Sequence, residues 1–173
     1  MVKLWRCEIC GDPYIGDKAP SNCPFCGAKR KFIKEFKDAK ANFDVELSDT
    51  DRKNAEHALE VEVSNATFYF CASDKSEDLE SKKLFKALAK VEDEHASIWM
   101  KILKLDSKPK GNDSCSVNVM ENLQGSHARE TRAIEFYKQA AEEADNERVR
   151  QILLALVEIE LDHLHLSEER GVK

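Results

Sequence analysis

Four chemically unusual positions recur at one spacing. Glu62, Tyr69, Glu92 and His95 are matched, each 68 residues later, by Glu130, Tyr137, Glu160 and His163. Both copies lie in helical patterns. The stretch "LFKALAKVEDEHASIWMKIL" carries an apolar stripe through Phe85, Leu88 and Trp99, and Glu92 and His95 sit within it. Residues three and four apart share one side of a helix, so these polar groups point where the core should be. Glu62 lies in line with Ala55, Leu59, Ala66 and Tyr69. Glu130 lies with Leu123, Ile134 and Tyr137, and Glu160 with Leu153, Leu156 and Leu164. A fold that buries these stripes buries four carboxylates. A bare buried carboxylate costs several kcal/mol or takes up a proton. Two divalent cations carry the charge that cancels all four.

The spacing supports this geometry. A turn-like stretch, "SDKSED", separates Glu62 from Glu92, and "ADNE" separates Glu130 from Glu160. Each glutamate is roughly twelve to fifteen residues from its turn, about 20 Å of helix. Two antiparallel hairpins therefore bring four glutamates and two histidines to one height. The Glu-x-x-His pairs let a carboxylate bridge two ions while the imidazole caps one. Hard carboxylates with one imidazole per metal suit iron or manganese. The segment from about Asp106 to Gln124 is long enough for a single crossover between hairpins, as in a ferritin-like four-helix bundle. Ser48 with Asp51, and Asp74 with Glu77, have the spacing of helix caps.

The first 36 residues differ in kind. They hold four of the six cysteines, as Cys7-x-x-Cys10-Gly11 and Cys23-Pro24-x-Cys26-Gly27. A CxxC turn converges two thiolates on one ion, and the glycine permits the tight backbone. Two such turns give a tetrahedral sulfur site for zinc or a single iron. A module this short buries little apolar surface alone, so the metal contributes to its folding. Trp5, Tyr14 and Phe25 are expected to form its small core. The chain thus divides into a metal-knuckle domain at 1–36, a charged connector at 37–44 and a helical bundle at 45–170. The expected fold class is mostly α.

Other residues carry bland expectations. Tyr69 and Tyr137 either hydrogen-bond the ligand carboxylates or pack beside them. His127, one turn before Glu130, is expected to be a spare histidine, and His57 and His165 lie off the metal-facing stripe. Cys71 is expected to pack as a small hydrophobe, and Cys115 has no evident partner. The net charge of −6 disfavours a nucleic-acid partner. No run reaches the roughly 18 apolar residues of a membrane span. The start, "MVKLWRCEICG", lacks an apolar leader, so a cytoplasmic location is expected.

"WRCEICG", "GDKAPSNCPFCG" and the aromatic Phe32 resemble the short-loop rubredoxin module of rubrerythrins. With the Glu / Glu-x-x-His / Glu / Glu-x-x-His bundle, the resemblance to rubrerythrins covers nearly the whole chain. It implies one mononuclear iron on Cys7, Cys10, Cys23 and Cys26. It also implies one di-iron centre on Glu62, Glu92, His95, Glu130, Glu160 and His163. The implied activity is reduction of hydrogen peroxide to water, with electrons arriving singly from an upstream donor protein through the cysteine-held iron. The implied assembly is a homodimer or larger, one chain's module approaching the other's di-iron site. The alternative is a di-iron oxidase acting on oxygen or ferrous iron. Two departures stand out. The module precedes the bundle, as in the so-called reverse arrangement. Ala133 stands where the family's peroxidases carry an extra glutamate, and Glu135 points off that face.

Overall fold

The computed structural model describes residues 1–172. A small antiparallel sheet comes first, built from β1 (Lys3–Cys7), β2 (Pro13–Gly16) and β3 (Ile33–Glu35) in the order β2-β1-β3. Four helices follow: α1 (Asp49–Lys75), α2 (Leu79–Leu103), α3 (Val119–Glu143) and α4 (Glu147–Glu168). The fold is the expected one, a four-helix bundle with an N-terminal cysteine-knuckle module. α1 packs on α2, α3 packs on α4, and α1 meets α3 between the hairpins. Among the described residues, no helix is long and apolar enough to cross a membrane.

Helix ends follow local chemistry. Ser48 caps α1 by accepting the backbone N–H of Asp51, as expected. The buried Asp51 carboxylate in turn accepts N–H groups of Asp145 and Asn146 at 3.2 and 3.1 Å, tying the start of α1 to the α3–α4 turn. The expected cap of Asp74 with Glu77 is not made. α1 continues to Lys75, and Asp78 caps α2 by accepting the N–H of Ser81. "SDKSED" offers several capping side chains, and continuing the helix buries Ala72 and Ser73. The crossover is also shorter than expected. It ends at Asn118, whose side chain caps α3, because Asn122 and Leu123 are already buried on that helix.

The crossover runs back over α1 and is fastened there. The side chain of Ser64 and the guanidinium of Arg129 both donate to Asp113, and Lys75 donates to the Cys115 carbonyl. Gly111 lies so close to Thr67 that a Cβ there would stand 2.0 Å from the threonine hydroxyl. Cys71 and Cys115 form a disulfide across this contact. The expectation of Cys71 as a small hydrophobe, and of Cys115 without a partner, is therefore corrected. Periodicity places Cys71 on the outer face of α1, and only the path of the crossover brings a second thiol to it.

The cysteine module shares its core with the bundle. Ile9, Ala28 and Ile33 are buried with the four cysteines, in one cluster with Trp99, Ile102 and Ile159. Trp5 and Tyr14 are only half buried, and Phe25 is 41 % exposed. Of the three, Trp5 packs at the edge of this cluster, while Tyr14 and Phe25 lie outside it. Gly27 makes the approach possible. It holds φ +78°, and a Cβ there would lie 3.0 Å from Ile159 of α4. Around the rim, Lys29 and Lys31 pair with Asp162 and Glu158. Lys101 donates to the Cys10 carbonyl at 2.8 Å. The connector is anchored by Phe43, which lies under both Lys101 and Arg148.

Candidate metal centres

The two knuckles bring four sulfurs together. Gly11 and Gly27 N–H groups close the turns onto the Cys7 and Cys23 carbonyls. Sγ of Cys7 lies 3.7 Å from that of Cys26, and Sγ of Cys10 lies 3.8 Å from that of Cys23. A tetrahedron with metal–sulfur bonds of about 2.3 Å has edges of about 3.8 Å. These two sulfur pairs thus stand at the edge length a single ion requires, and all four sulfurs lie within 4.8 Å of one another. Hydrogen bonding from Cys10 holds the Cys23 thiol below the ordinary thiol range, and the same contact raises Cys10.

The second constellation lies inside the bundle, one side chain group from each helix. Glu62 of α1, Glu92 and His95 of α2, and Glu160 of α4 bring one donor atom each within 4.8 Å of one another. So do Glu92, Glu130 of α3, Glu160 and His163. Glu92 and Glu160 belong to both groups, the positions from which a carboxylate can bridge. Glu62 and Glu130 stand at opposite ends. All four glutamates and His95 are wholly shielded from solvent, and His163 is nearly so.

Both histidines turn Nδ1 inward. His95 Nδ1 lies 3.2 Å from Glu160 and 3.3 Å from Glu92; His163 Nδ1 lies 2.9 Å from Glu160 and 3.0 Å from Glu92. The other nitrogen of His95 faces the cysteine module. Nε2 donates to the Cys26 carbonyl at 2.9 Å, which fixes the tautomer and frees Nδ1 as a ligand. One hydrogen bond therefore joins a residue of each constellation.

Hydrogen bonds outside the centre settle the tyrosine question. Tyr69 O–H donates to Glu130 and Tyr137 O–H donates to Glu62. Ser126, four residues before Glu130, hydrogen-bonds Tyr69 at 2.7 Å; sequence reasoning missed it, although it shares the Glu130 face. Each tyrosine engages one carboxylate oxygen and leaves the other free. Glu62 Oε2, Glu130 Oε2, Glu160 Oε1, both Glu92 oxygens and His95 Nδ1 have no hydrogen-bond partner among the described residues. Orphaned buried acceptors, all turned to one place, are the pattern that a pair of cations satisfies.

Charge balance in the metal-free protein is held by protons. Burial, with help from neighbouring carboxylates, raises Glu62 and Glu130 well above the usual carboxylate range. Burial works to lower His95 and His163, but the surrounding carboxylates outweigh it and raise both well above the usual imidazole range. Burial likewise works against ionised Glu92, yet the imidazoles of His163 and His95 that face it hold it below its ordinary value. A further acidic pair, Asp12 and Glu94, sits beside Cys10 at the docking interface. Burial and the Asp12 hydrogen bond push Glu94 up to about 7.

The remaining sequence candidates lie elsewhere. His127 Nε2 is 3.6 Å from Glu168 at the bundle's edge. His57 stacks edge-on against Phe136, and His165 is exposed. Ala133 is buried and Glu135 exposed.

The fold and donor set define a class: a ferritin-like bundle with a carboxylate–histidine dimetal site, fronted by a tetracysteine module. Residues 53–169 match the rubrerythrin family and residues 5–33 match the rubredoxin-like domain of rubrerythrin. The chain belongs to the rubrerythrin family, in the reverse order of module and bundle. It is 50 % identical over 38 residues to reverse rubrerythrin-1 of Clostridium acetobutylicum, a match covering 21 % of this chain and 20 % of that one. The match therefore spans about a fifth of that curated relative's length. Two crystal structures of KatB, a manganese catalase from Anabaena, share the fold at 19 % identity. One has a TM-score of 0.59 over 73 % of this chain and 74 % of that one. The other has 0.57 over 76 % and 77 %.

Proposed function

We propose that this chain is a non-haem di-iron peroxidase that reduces hydrogen peroxide to water, fed by electrons through an iron on Cys7, Cys10, Cys23 and Cys26. In this reading Glu62, Glu92, His95, Glu130, Glu160 and His163 would hold the di-iron centre, Glu92 and Glu160 being common to both donor groups. The observation that carries it is the His95–Cys26 hydrogen bond. A storage or purely structural bundle has no need of a second metal site wired to the first.

A bound iron pair would supply two electrons for O–O cleavage, and an iron held by Cys7, Cys10, Cys23 and Cys26 would supply single-electron transfer. The chain's own residues do the rest. Tyr137 and Tyr69 orient the terminal carboxylates and lie within reach to hold or pass a proton at Glu62 Oε1 and Glu130 Oε1. The wholly buried setting excludes bulk water, which strengthens every charge interaction inside. His95 holds its ring between the two sites through Nδ1 and Nε2.

The reading includes an upstream electron-donor protein, a cytoplasmic setting and a homodimer or larger assembly. The approach of module to bundle, which the family pattern assigns to neighbouring chains, is made here within one chain. Ala133, in place of a further carboxylate, favours a second reading, a di-iron oxidase acting on oxygen or ferrous iron. The test is anaerobic titration of the chemically reduced protein with peroxide, beside the Glu92→Ala/His95→Ala double variant. The proposal expects stoichiometric peroxide loss in the wild type only, with the visible colour of the oxidised tetracysteine iron equal in the two proteins before reduction. Equal loss in the variant would sink the site assignment.

A further inference from the structure

A cavity of about 270 Å³ opens on the seam between α1 and α3, lined in part by Val61, Ser64, Asn65, Arg129, Ala133 and Phe136. The Tyr137–Glu62 and Tyr69–Glu130 hydrogen bonds set α1 and α3 antiparallel, in a register that places this seam at the height of the dimetal cluster. Asn65 lies three residues past Glu62 and Ala133 three past Glu130, about one helical turn in each case.

Asn65 is 3 % exposed. Arg129 donates to its Oδ1 at 3.2 Å, and the guanidinium is itself held by Ser64 and Asp113. A guanidinium only donates, so this contact fixes which end of the amide is oxygen. The free end is Nδ2, and it has no acceptor among the described residues. A buried donor left unpaired is costly unless something accepts from it. The rest of the lining is apolar at Val61, Ala133 and Phe136 and polar at His57 and Arg132, and any longer side chain at 133 would take up part of this space. The cavity far exceeds a molecule of hydrogen peroxide, given that one water occupies roughly 30 Å³. It approaches the roughly 300 Å³ at which small-ligand pockets begin.

We infer that this cavity is a docking subsite for an organic hydroperoxide. Asn65 Nδ2 donates to the hydroperoxyl group at the level of the centre, and Val61 and Phe136 hold the alkyl or aryl group. The inference rests on the peroxidase reading and names a substrate class for it. The O–O bond breaks, giving one alcohol and one water. Two electrons come from the reduced donor protein and two protons from solvent.

The first test needs no turnover: calorimetric titration of the full-length protein with 2-phenyl-2-propanol, the alcohol left by cumene hydroperoxide. Saturable binding is expected, weakened about tenfold in Asn65→Asp, which keeps an acceptor toward Arg129 and removes the donor. Ala133→Leu, which fills the cavity from α3, should abolish binding and decides the matter if Asn65→Asp fails to fold. In steady state, the ratio of kcat/KM for cumene hydroperoxide to that for hydrogen peroxide should fall about tenfold in Asn65→Asp, mostly through KM. Wild type that reduces hydrogen peroxide but binds no alcohol would overturn the cavity assignment alone. Alcohol binding with no turnover of either peroxide would overturn the peroxidase reading, and the hydroperoxide assignment with it. Binding unchanged in both variants would also overturn the assignment.

Discussion

His95 Nε2 donates to the Cys26 carbonyl at 2.9 Å while Nδ1 of the same ring faces Glu92 and Glu160. A single imidazole thus spans the space between the tetracysteine site and the carboxylate cluster. Anything that lifts the module from α4 lengthens this link before it disturbs either set of donor atoms.

Gly27→Ala is the mildest way to do so. The new Cβ meets Ile159 at 3.0 Å, in a backbone conformation that side chains rarely adopt. A stability loss of about 1–3 kcal/mol is expected, with both metal centres still loaded. Transfer of electrons from the cysteine site to the bundle should slow. Single-turnover kinetics beside metal analysis checks this; an unchanged rate would mean the docking contact does not carry the electrons.

Tyr137→Phe removes the one hydrogen bond that, among the described residues, orients Glu62 from outside the cluster. Metal affinity of the bundle should fall by roughly 10- to 100-fold, the usual cost of losing such a contact. Competition with a chelator measures it. Because phenylalanine keeps the ring and its packing, a large loss of folding stability would contradict the assigned role.

The Cys71–Cys115 bridge closes a loop across a sequence separation of 44 residues. In the chain-entropy account such a loop contributes about 4 kcal/mol. Cys71→Ser should lower unfolding stability toward that figure. Reductant should do the same to the wild type and nothing further to the variant, as urea unfolding with and without reductant would reveal.

Metal-free protein should lose stability as pH rises. Glu62 and Glu130 are raised when folded, and so are His95 and His163. Above the unfolded carboxylate value the folded state therefore holds more protons than the unfolded one, and stability falls with each proton lost. Glu92 and Glu160 are shifted the other way, and their contribution is lost only on acidification below that window. After metal removal, the urea midpoint should be lower at pH 8 than at pH 5. The opposite order would contradict the proton-held charge balance.

The centre was legible in sequence because its parts are periodic. Glu62, Glu92, His95 and their counterparts sit on helix stripes, and a fixed rise per residue carries them to one height. The cysteine knuckles were legible because chelation is local. What sequence did not reveal depends on chain paths without a period. The crossover's route decides that Cys71 meets Cys115. The docking of the module decides that Phe25 stays outside while Ile9 and Ala28 go in. Asn65 escaped notice for a related reason: its orphan amide acquires meaning only beside Arg129, which α3 brings from 64 residues away.

The most direct test is anaerobic stopped-flow absorbance of the chemically reduced protein mixed with peroxide, with oxygen as the parallel arm. Reduced tetracysteine iron is nearly colourless, so return of its visible band reports electrons leaving through the module. The peroxidase account predicts fast return with peroxide and slow return with oxygen. Faster return with oxygen would contradict it and make the oxidase reading, with Ala133 in place of a carboxylate, the better description.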